Sequence, residues 1–216
     1  MSASLARQQS KGEYAADGVV HVVALVAAAV GVIILISMIA ARGGLVELVA
    51  VSIYAAGLLA MLGFSTAYNL GRASRHSDLL RRFDRAAIFV MIAGTYTPFT
   101  VLGLDGVWQV SLISFVWAVA LIGFALTLFY PRRLDGFSVA VYLVLGWAGI
   151  VAAGPFLDAF NSTILILLAS GGVLYSVGTV FLAWRKLPYQ NAIWHCFVVA
   201  AAAVHYGAVL DLTTTV

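Results

Sequence analysis

Seven apolar runs of roughly 20 residues organise this 216-residue sequence, and each is long enough to cross the ~30 Å hydrocarbon layer of a bilayer as a helix. A transmembrane barrel needs segments of about 10 residues with alternating polarity, and stretches such as 22–41 show no alternation. The sequence therefore predicts an all-α membrane protein, a bundle of seven transmembrane helices. The runs cover residues 18–41, 45–70, 86–104, 107–130, 136–156, 162–183 and 191–212.

The amino-acid composition narrows the class of protein. Hydrophobic residues make up 63% of the chain and charged residues only 10%, whereas soluble domains carry about 25% charged residues. So few charges cannot keep such an apolar chain in water, which excludes a soluble enzyme, a nucleic-acid-binding protein and a disordered chain. We expect membrane lipids as partners and no nucleic acid, and the chain could also form a homo-oligomer.

The distribution of Lys and Arg predicts the orientation of the bundle. Eleven of the twelve basic residues lie on one side of the predicted membrane, and only Arg42 lies on the other. Because basic residues concentrate in cytoplasmic loops, we expect the N-terminus in the cytoplasm and the C-terminus outside. The eleven are Arg7, Lys11, Arg72, Arg75, Arg81, Arg82, Arg85, Arg132, Arg133, Arg185 and Lys186.

The chain is predicted to form one unit. The connections between the runs are short, apart from about 15 residues at 71–85. We expect residues 1–17 to form a short cytoplasmic N-terminal segment and residues 18–212 a single seven-helix transmembrane domain. The first run is too long, and follows too much polar sequence, for a cleaved signal peptide, so it is expected to remain as an anchor.

Polar side chains at membrane depth are costly and are therefore the first candidates for function. Three pairs are spaced i, i+4, which places both members of a pair on one face of a helix. The predicted topology brings these pairs to the cytoplasmic level of the membrane, together with Asp84 at the start of the third span. The pairs are Asp17 with His21, Ser65 with Asn69, and Asn191 with His195.

Each of these residues also has a structural alternative. Ser65 could hydrogen-bond its own helix backbone, and Asn191 and Asp84 could cap the helices that they precede. His195 lies about one turn inside the hydrocarbon layer and needs a partner there, which favours a functional site. His205, roughly 15 Å further along the same helix, is expected to have a structural role.

The segments around these polar residues resemble the hemolysin III branch of the progestin and adipoQ receptor superfamily, which includes the adiponectin receptors. The resemblance covers nearly the whole chain and rests on the order and spacing of several segments. It agrees with a seven-span bundle whose N-terminus is cytoplasmic. The segments are Glu13 with 17–21 (DGVVH), 64–69 (FSTAYN), 80–88 (LRRFDRAAI), 92–99 (IAGTYTPF), 142–147 (YLVLGW), 171–178 (GGVLYSVG) and 187–195 (LPYQNAIWH).

The resemblance implies a zinc site near the cytoplasmic side, held by three histidines, with a serine and an aspartate around the metal-bound water. In this sequence the serine falls on Ser65, the aspartate on Asp84 and one histidine on His195. The other two histidine positions hold Asn69 and Asn191. Because an amide oxygen is a poor zinc ligand, we expect no tightly bound zinc and no other cofactor, with zinc as the alternative.

Two functions are consistent with these residues. In the first, the polar cluster at the cytoplasmic ends of helices 2, 3 and 7 binds a lipid headgroup or a proton, and the chain is a sensor or lipid-homeostasis protein. The resemblance and the short termini favour the inner membrane of a bacterium. The alternative is a metal-dependent hydrolase of lipid amides or esters, similar to a ceramidase, with Asp84, Ser65 and His195 as catalytic residues. Bound zinc would favour the second function.

The predicted orientation can be tested with a tag placed after Val216. Because eleven of twelve basic residues lie on one side, the tag should be accessible to an impermeant reagent in intact cells. A tag that becomes accessible only after the cells are opened would contradict the orientation.

Overall fold

The computed structural model describes residues 9–42, 44–130 and 137–215, and within these ranges the regular elements are all helical. Seven helical segments are long and apolar enough to span a membrane, which confirms the predicted seven-helix, all-α fold. The elements are α1 (Lys11–Ala40), α2 (Leu45–Leu70), α3 (Ser77–Gly103), α4 (Gly106–Phe129), α5 (Ser138–Gly146), a 3-10 segment (Ala148–Ala152), α6 (Ala153–Ala159), α7 (Ser162–Ala183) and α8 (Gln190–Thr215).

Some predicted features lie outside the described residues. Arg7, Arg132 and Arg133 contribute to the predicted orientation, and the first eight residues belong to the predicted N-terminal segment. The position of Val216 is not described either.

The outer surface of α1 shows that the chain is an integral membrane protein. Large aliphatic side chains cover this surface, and more than half of each is exposed, with 63% for Val19 and 65% for Ile33. Between them lie Val23, Val26 and Val30, which are also more than half exposed. A continuous apolar surface of this kind is unfavourable in water, whereas hydrocarbon chains solvate it.

The helix boundaries match the apolar runs closely, apart from two helix beginnings. α3 begins at Ser77 instead of at residue 86, so the expected long connection between the second and third spans is wrong. The structural alternative in which Asp84 caps this helix is also wrong, because Asp84 lies inside α3. α1 likewise begins at Lys11, after the capping residue Ser10. Hydropathy marks only the part of a helix within hydrocarbon, whereas these helices continue into polar sequence.

Close packing of α2 against α3 fixes the relative positions of two walls of the bundle. A Cβ atom added at Gly57 would lie 3.2 Å from the Val90 carbonyl oxygen, and one added at Gly94 would lie 3.2 Å from that of Ile53. The two backbones can therefore approach only because these residues are glycines, as is common where membrane helices cross. α2 also packs on α1, and α1 packs on α8, which packs on α7.

The fifth span is interrupted in the middle of the bundle. α5 ends at Gly146, and the chain passes through the 3-10 segment before α6 begins. Tyr96 of α3 satisfies the backbone at this break, because its hydroxyl donates to the Gly146 carbonyl at 2.8 Å and accepts from the Gly149 N–H at 2.7 Å. A break of this kind is tolerated within a membrane only where other groups replace the lost hydrogen bonds.

Replacing Tyr96→Phe removes both hydrogen bonds and leaves the ring in place. We expect the free energy of unfolding of this variant to be about 1–3 kcal/mol lower than that of the parent, because two backbone groups at membrane depth lose their hydrogen-bond partner. Thermal melting of the purified protein measures the effect. Tyr14→Phe is the matched control, since the Tyr14 ring contacts Arg72 and phenylalanine keeps that ring; an equal loss in both variants would contradict the role of Tyr96.

Candidate functional site

Three helix ends meet at one end of the bundle, here called the basic end because Arg72, Arg81 and Arg185 lie there. α1 and α8 begin at this end, and α2 ends there. Each of the three helices contributes one of the polar pairs predicted from the sequence. In each pair the i, i+4 spacing places both side chains on one face of its helix, and these faces contact one another in the structure. The polar residues of the three helices are therefore neighbours.

The carboxylate of Asp17 is the centre of this arrangement, and its side chain is only 2% exposed. One carboxylate oxygen accepts the Nδ1–H of His195 at 2.6 Å. The other oxygen accepts the side-chain amide of Asn69 at 2.5 Å and the guanidinium of Arg72 at 2.9 Å. A buried charge is stable only when it is both paired and hydrogen-bonded, and Asp17 meets both conditions.

His21 links this carboxylate to Ser65. Its Nδ1 lies 2.7 Å from the backbone oxygen of Asp17, and its Nε2 lies 2.9 Å from the Ser65 hydroxyl. Because a backbone carbonyl can only accept, Nδ1 must carry a proton, and in the neutral imidazole Nε2 then accepts the proton of Ser65. The ring of His195 lies edge-to-face against the His21 ring, with 4.2 Å between their centroids.

Ser65 also interacts with the third helix. Asp84 of α3 lines the same cavity and lies near Ser65, so Ser65 lies between an imidazole and a carboxyl group. The structural alternative for Ser65 was a hydrogen bond to its own helix backbone, whereas its hydroxyl contacts His21. The neighbouring Thr66 makes a backbone bond of that kind, to the Leu62 carbonyl at 2.7 Å. Helices α1, α2 and α3 thus all contribute to the surroundings of one hydroxyl group.

Glu13 fixes the beginning of α8 relative to α1. Its side chain accepts the backbone N–H of Ser10 at 2.7 Å, within the capping box of α1, and also the backbone N–H of Tyr189 at 2.7 Å. Tyr189 has a φ of 57°, which is uncommon for a residue other than glycine. The carboxylate therefore holds a strained turn directly before the helix that carries His195.

A cavity of about 1160 Å³ lies beside these residues. It reaches the surface at the basic end, where exposed Arg81 and Arg185 line it, and it extends inward to Trp147 and Tyr175. Its volume exceeds the 300–1,000 Å³ or so of most ligand pockets. The site residues thus face a space large enough for a sizeable ligand.

Most of the residues predicted from sequence line this one cavity, while Asp17 is buried behind them. Asn191 lines it one helical turn before His195. His205 lies deeper, apart from the cluster, with its Nε2 3.2 Å from the Leu168 carbonyl oxygen. The predicted residues that line the cavity are His21, Ser65, Asn69, Asp84, Asn191, His195 and His205.

Two features of the site were not predicted from the sequence. Asp17 and His21 were predicted to lie at the same membrane level as the cluster on helices 2, 3 and 7 but were not assigned to it, whereas they lie at its centre. Arg72 was counted only as a loop residue that orients the chain, whereas it pairs with Asp17. The available signal was its position just after the span that carries Ser65 and Asn69, where a long side chain can reach back toward the membrane.

The zinc site that the resemblance implies does not fit these residues. Asn69 donates its amide to Asp17, and Asn191 offers only another amide. Asp17, His21 and His195 do form a triad with one metal-ligating atom each within 4.8 Å of one another. However, the Asp17 carboxylate already pairs with Arg72 and accepts an N–H from His195. A metal ion bound to that carboxylate would have to displace these partners.

The fold and the site together define a seven-helix membrane protein that holds a buried carboxylate and two imidazoles beside an internal cavity. The family model for haemolysin-III-related proteins matches residues 13–206, and the chain belongs to this family. The matched region begins at Glu13 and includes the carboxylate of Asp17, both imidazoles and the other polar side chains around them.

Individual relatives support the assignment. The hemolysin-3 homolog of Bacillus subtilis (strain 168) is 43% identical over 133 residues, which are 62% of this chain and 62% of that protein. Hemolysin-3 of Bacillus cereus is 37% identical over 147 residues, 68% of this chain and 67% of that protein. Human monocyte to macrophage differentiation factor is 33% identical over 128 residues, which are 58% of this chain and 52% of that protein. No solved structure matches significantly.

The effect of the two asparagines can be tested by restoring the implied histidines. Combining Asn69→His with Asn191→His should place three imidazoles around an open position, the ligand set of a catalytic zinc site. Zinc at about 100 times its Kd would stabilise this variant by about 2.7 kcal/mol. Its melting temperature should therefore be higher in zinc than in chelator.

The parent protein and the two single variants are the controls. The parent should melt at nearly the same temperature in zinc and in chelator, and each single variant should show part of the gain. If the parent gains as much as the double variant, the triad of Asp17, His21 and His195 already binds the ion and our conclusion about the fit is wrong.

Proposed function

We propose that this chain binds an anionic phospholipid in its internal cavity and serves in sensing or maintaining membrane lipids. The main observation that supports this proposal is the cavity, which combines positive charge at its opening with an apolar interior. The Bacillus relatives favour the cytoplasmic membrane of a bacterium as the place where it acts.

The opening of the cavity suits an anionic headgroup. Four arginines line it: Arg72, Arg81, Arg85 and Arg185. Guanidinium groups bind phosphate oxygens through paired hydrogen bonds. Each basic group near a membrane surface contributes about 1 kcal/mol to the attraction of anionic lipid.

The interior suits an acyl chain. Its walls include Met61 and Leu62 of α2, Met91 of α3 and Val198 of α8. Methionine side chains adapt to irregular ligands because they are flexible and polarizable. A lipid could therefore place its headgroup at the basic end and its chain between these helices.

Arg72 provides a physical link between lipid binding and helix packing. It lines the cavity and pairs with Asp17 at 2.9 Å, and it also donates to Gln9 at 2.8 Å. A phosphate at the opening would compete with Asp17 for this guanidinium. The contact between α1 and the end of α2 would then weaken, which is the kind of two-state change that a sensor needs.

The proposal predicts selective binding of anionic lipid. Purified protein in detergent should bind and be stabilised by phosphatidylglycerol more strongly than by phosphatidylcholine. Combining Arg81→Gln with Arg185→Gln should weaken phosphatidylglycerol binding about 30-fold, the equivalent of about 2 kcal/mol for two basic groups. Titrations followed by melting temperature or tryptophan fluorescence measure both effects.

A second pair of substitutions controls for the loss of charge alone. Arg75→Gln with Lys186→Gln also removes two positive charges, from exposed residues that do not line the cavity. This pair should leave the affinity within a few-fold of the parent. Equal binding of both lipids, or equal losses in both pairs, would contradict the proposal.

A further inference from the structure

We infer that Ser65 is a nucleophile and that the site hydrolyses an acyl ester of the lipid in the cavity. This inference rests on the proposed lipid binding and adds a reaction to it. The observation behind it is the chain of contacts from the Ser65 hydroxyl through the His21 imidazole to Asp17.

The geometry is that of a serine activated by an adjacent base. Ser65 is half-buried and lines the cavity, so its oxygen can meet a ligand there. The 2.9 Å contact to His21 Nε2 lies within the range for general-base catalysis. The ring is held in place at Nδ1 by the Asp17 backbone oxygen, at 2.7 Å.

The surroundings also suit the charges that form during such a reaction. The carboxylate of Asp17 lies 3.5 Å from His21 Nδ1, where it would stabilise an imidazolium. Arg72 and Arg85 line the same cavity as Ser65. A negative oxygen formed next to Ser65 would therefore face a cavity that also holds the positive charges of these two guanidinium groups.

The reaction has two steps. Ser65 Oγ forms a bond to the ester carbonyl carbon as its proton moves to His21 Nε2. The bond from that carbon to the alcohol oxygen then breaks, and the alcohol leaves with the proton from Nε2. Water from the open end of the cavity attacks the acyl-serine and gives a proton to Nε2, which returns it to Ser65. The products are a fatty acid and an alcohol.

The experiment is labelling of the purified protein with a fluorophosphonate, which reacts with activated serines and releases fluoride. We expect one label, on the peptide that contains Ser65. Ser65→Ala should abolish labelling, and His21→Gln should slow it about 100-fold or more, the contribution of a general base. Asp84→Asn should have a smaller effect than His21→Gln.

Ser52→Ala is the matched control, because Ser52 lies on the same helix but is exposed on the outside of the bundle. It should label at the parent rate. Circular dichroism and thermal melting of every variant identify any that is not folded, and incubation with a chromogenic acyl ester tests independently for an acyl group on Ser65 by mass spectrometry. An unlabelled and unacylated parent, or a labelled Ser65→Ala variant, would overturn the inference.

Adding phosphatidylglycerol to the reaction separates the two proposals. If both hold, the lipid should protect Ser65 from the probe. Labelling without protection supports the nucleophile and contradicts lipid occupancy of the cavity. Lipid binding measured by titration, together with an absence of labelling, supports the proposed function and rejects the nucleophile.

Discussion

A buried carboxylate inside a membrane protein must find its partners within the protein, and Asp17 imposes this requirement on the whole basic end. Its oxygens bind His195, Asn69 and Arg72, which come from α8, from α2 and from the chain just after α2. Leaving the buried carboxylate of Asp17 unpaired in a low-dielectric interior would cost several kcal/mol. The positions of three chain segments are thus coupled through one side chain, and the cavity lies beside that junction.

The number and type of the helices could be predicted because hydrocarbon thickness fixes both length and composition of a span. Two spans begin and end at the predicted residues, 45–70 and 162–183. The early beginning of α3 at Ser77 could not be predicted in this way, since its first turns are polar and hydropathy does not distinguish a polar helix from a loop. The break at Gly146 was equally hidden, because Tyr96, which satisfies it, belongs to another span.

Part of the site was also predictable, because helix geometry relates sequence spacing to the position of a side chain on the helix surface. Spacing along one helix shows which side chains share a face, and this brought Ser65 and His195 into consideration. It does not show which helices are neighbours, so the direct contact of α1 with α8 and the central place of Asp17 needed the tertiary structure. The role of Arg72 was hidden as well, because a loop arginine that orients the chain and one that reaches back to pair with a buried carboxylate have the same sequence signature.

The pairing of Asp17 with Arg72 has a consequence for biosynthesis. His195 is 178 residues away from Asp17 along the chain, so it is made long after α1 and α2 have entered the bilayer. Arg72 and Asn69, which follow Asp17 by about fifty residues, become available as soon as the second span is complete. The helical hairpin of α1 and α2 can therefore be stable in the membrane before α8 is inserted, because the Asp17 carboxylate is already paired. When α8 is inserted, His195 adds a further hydrogen bond to a carboxylate that is no longer an isolated charge.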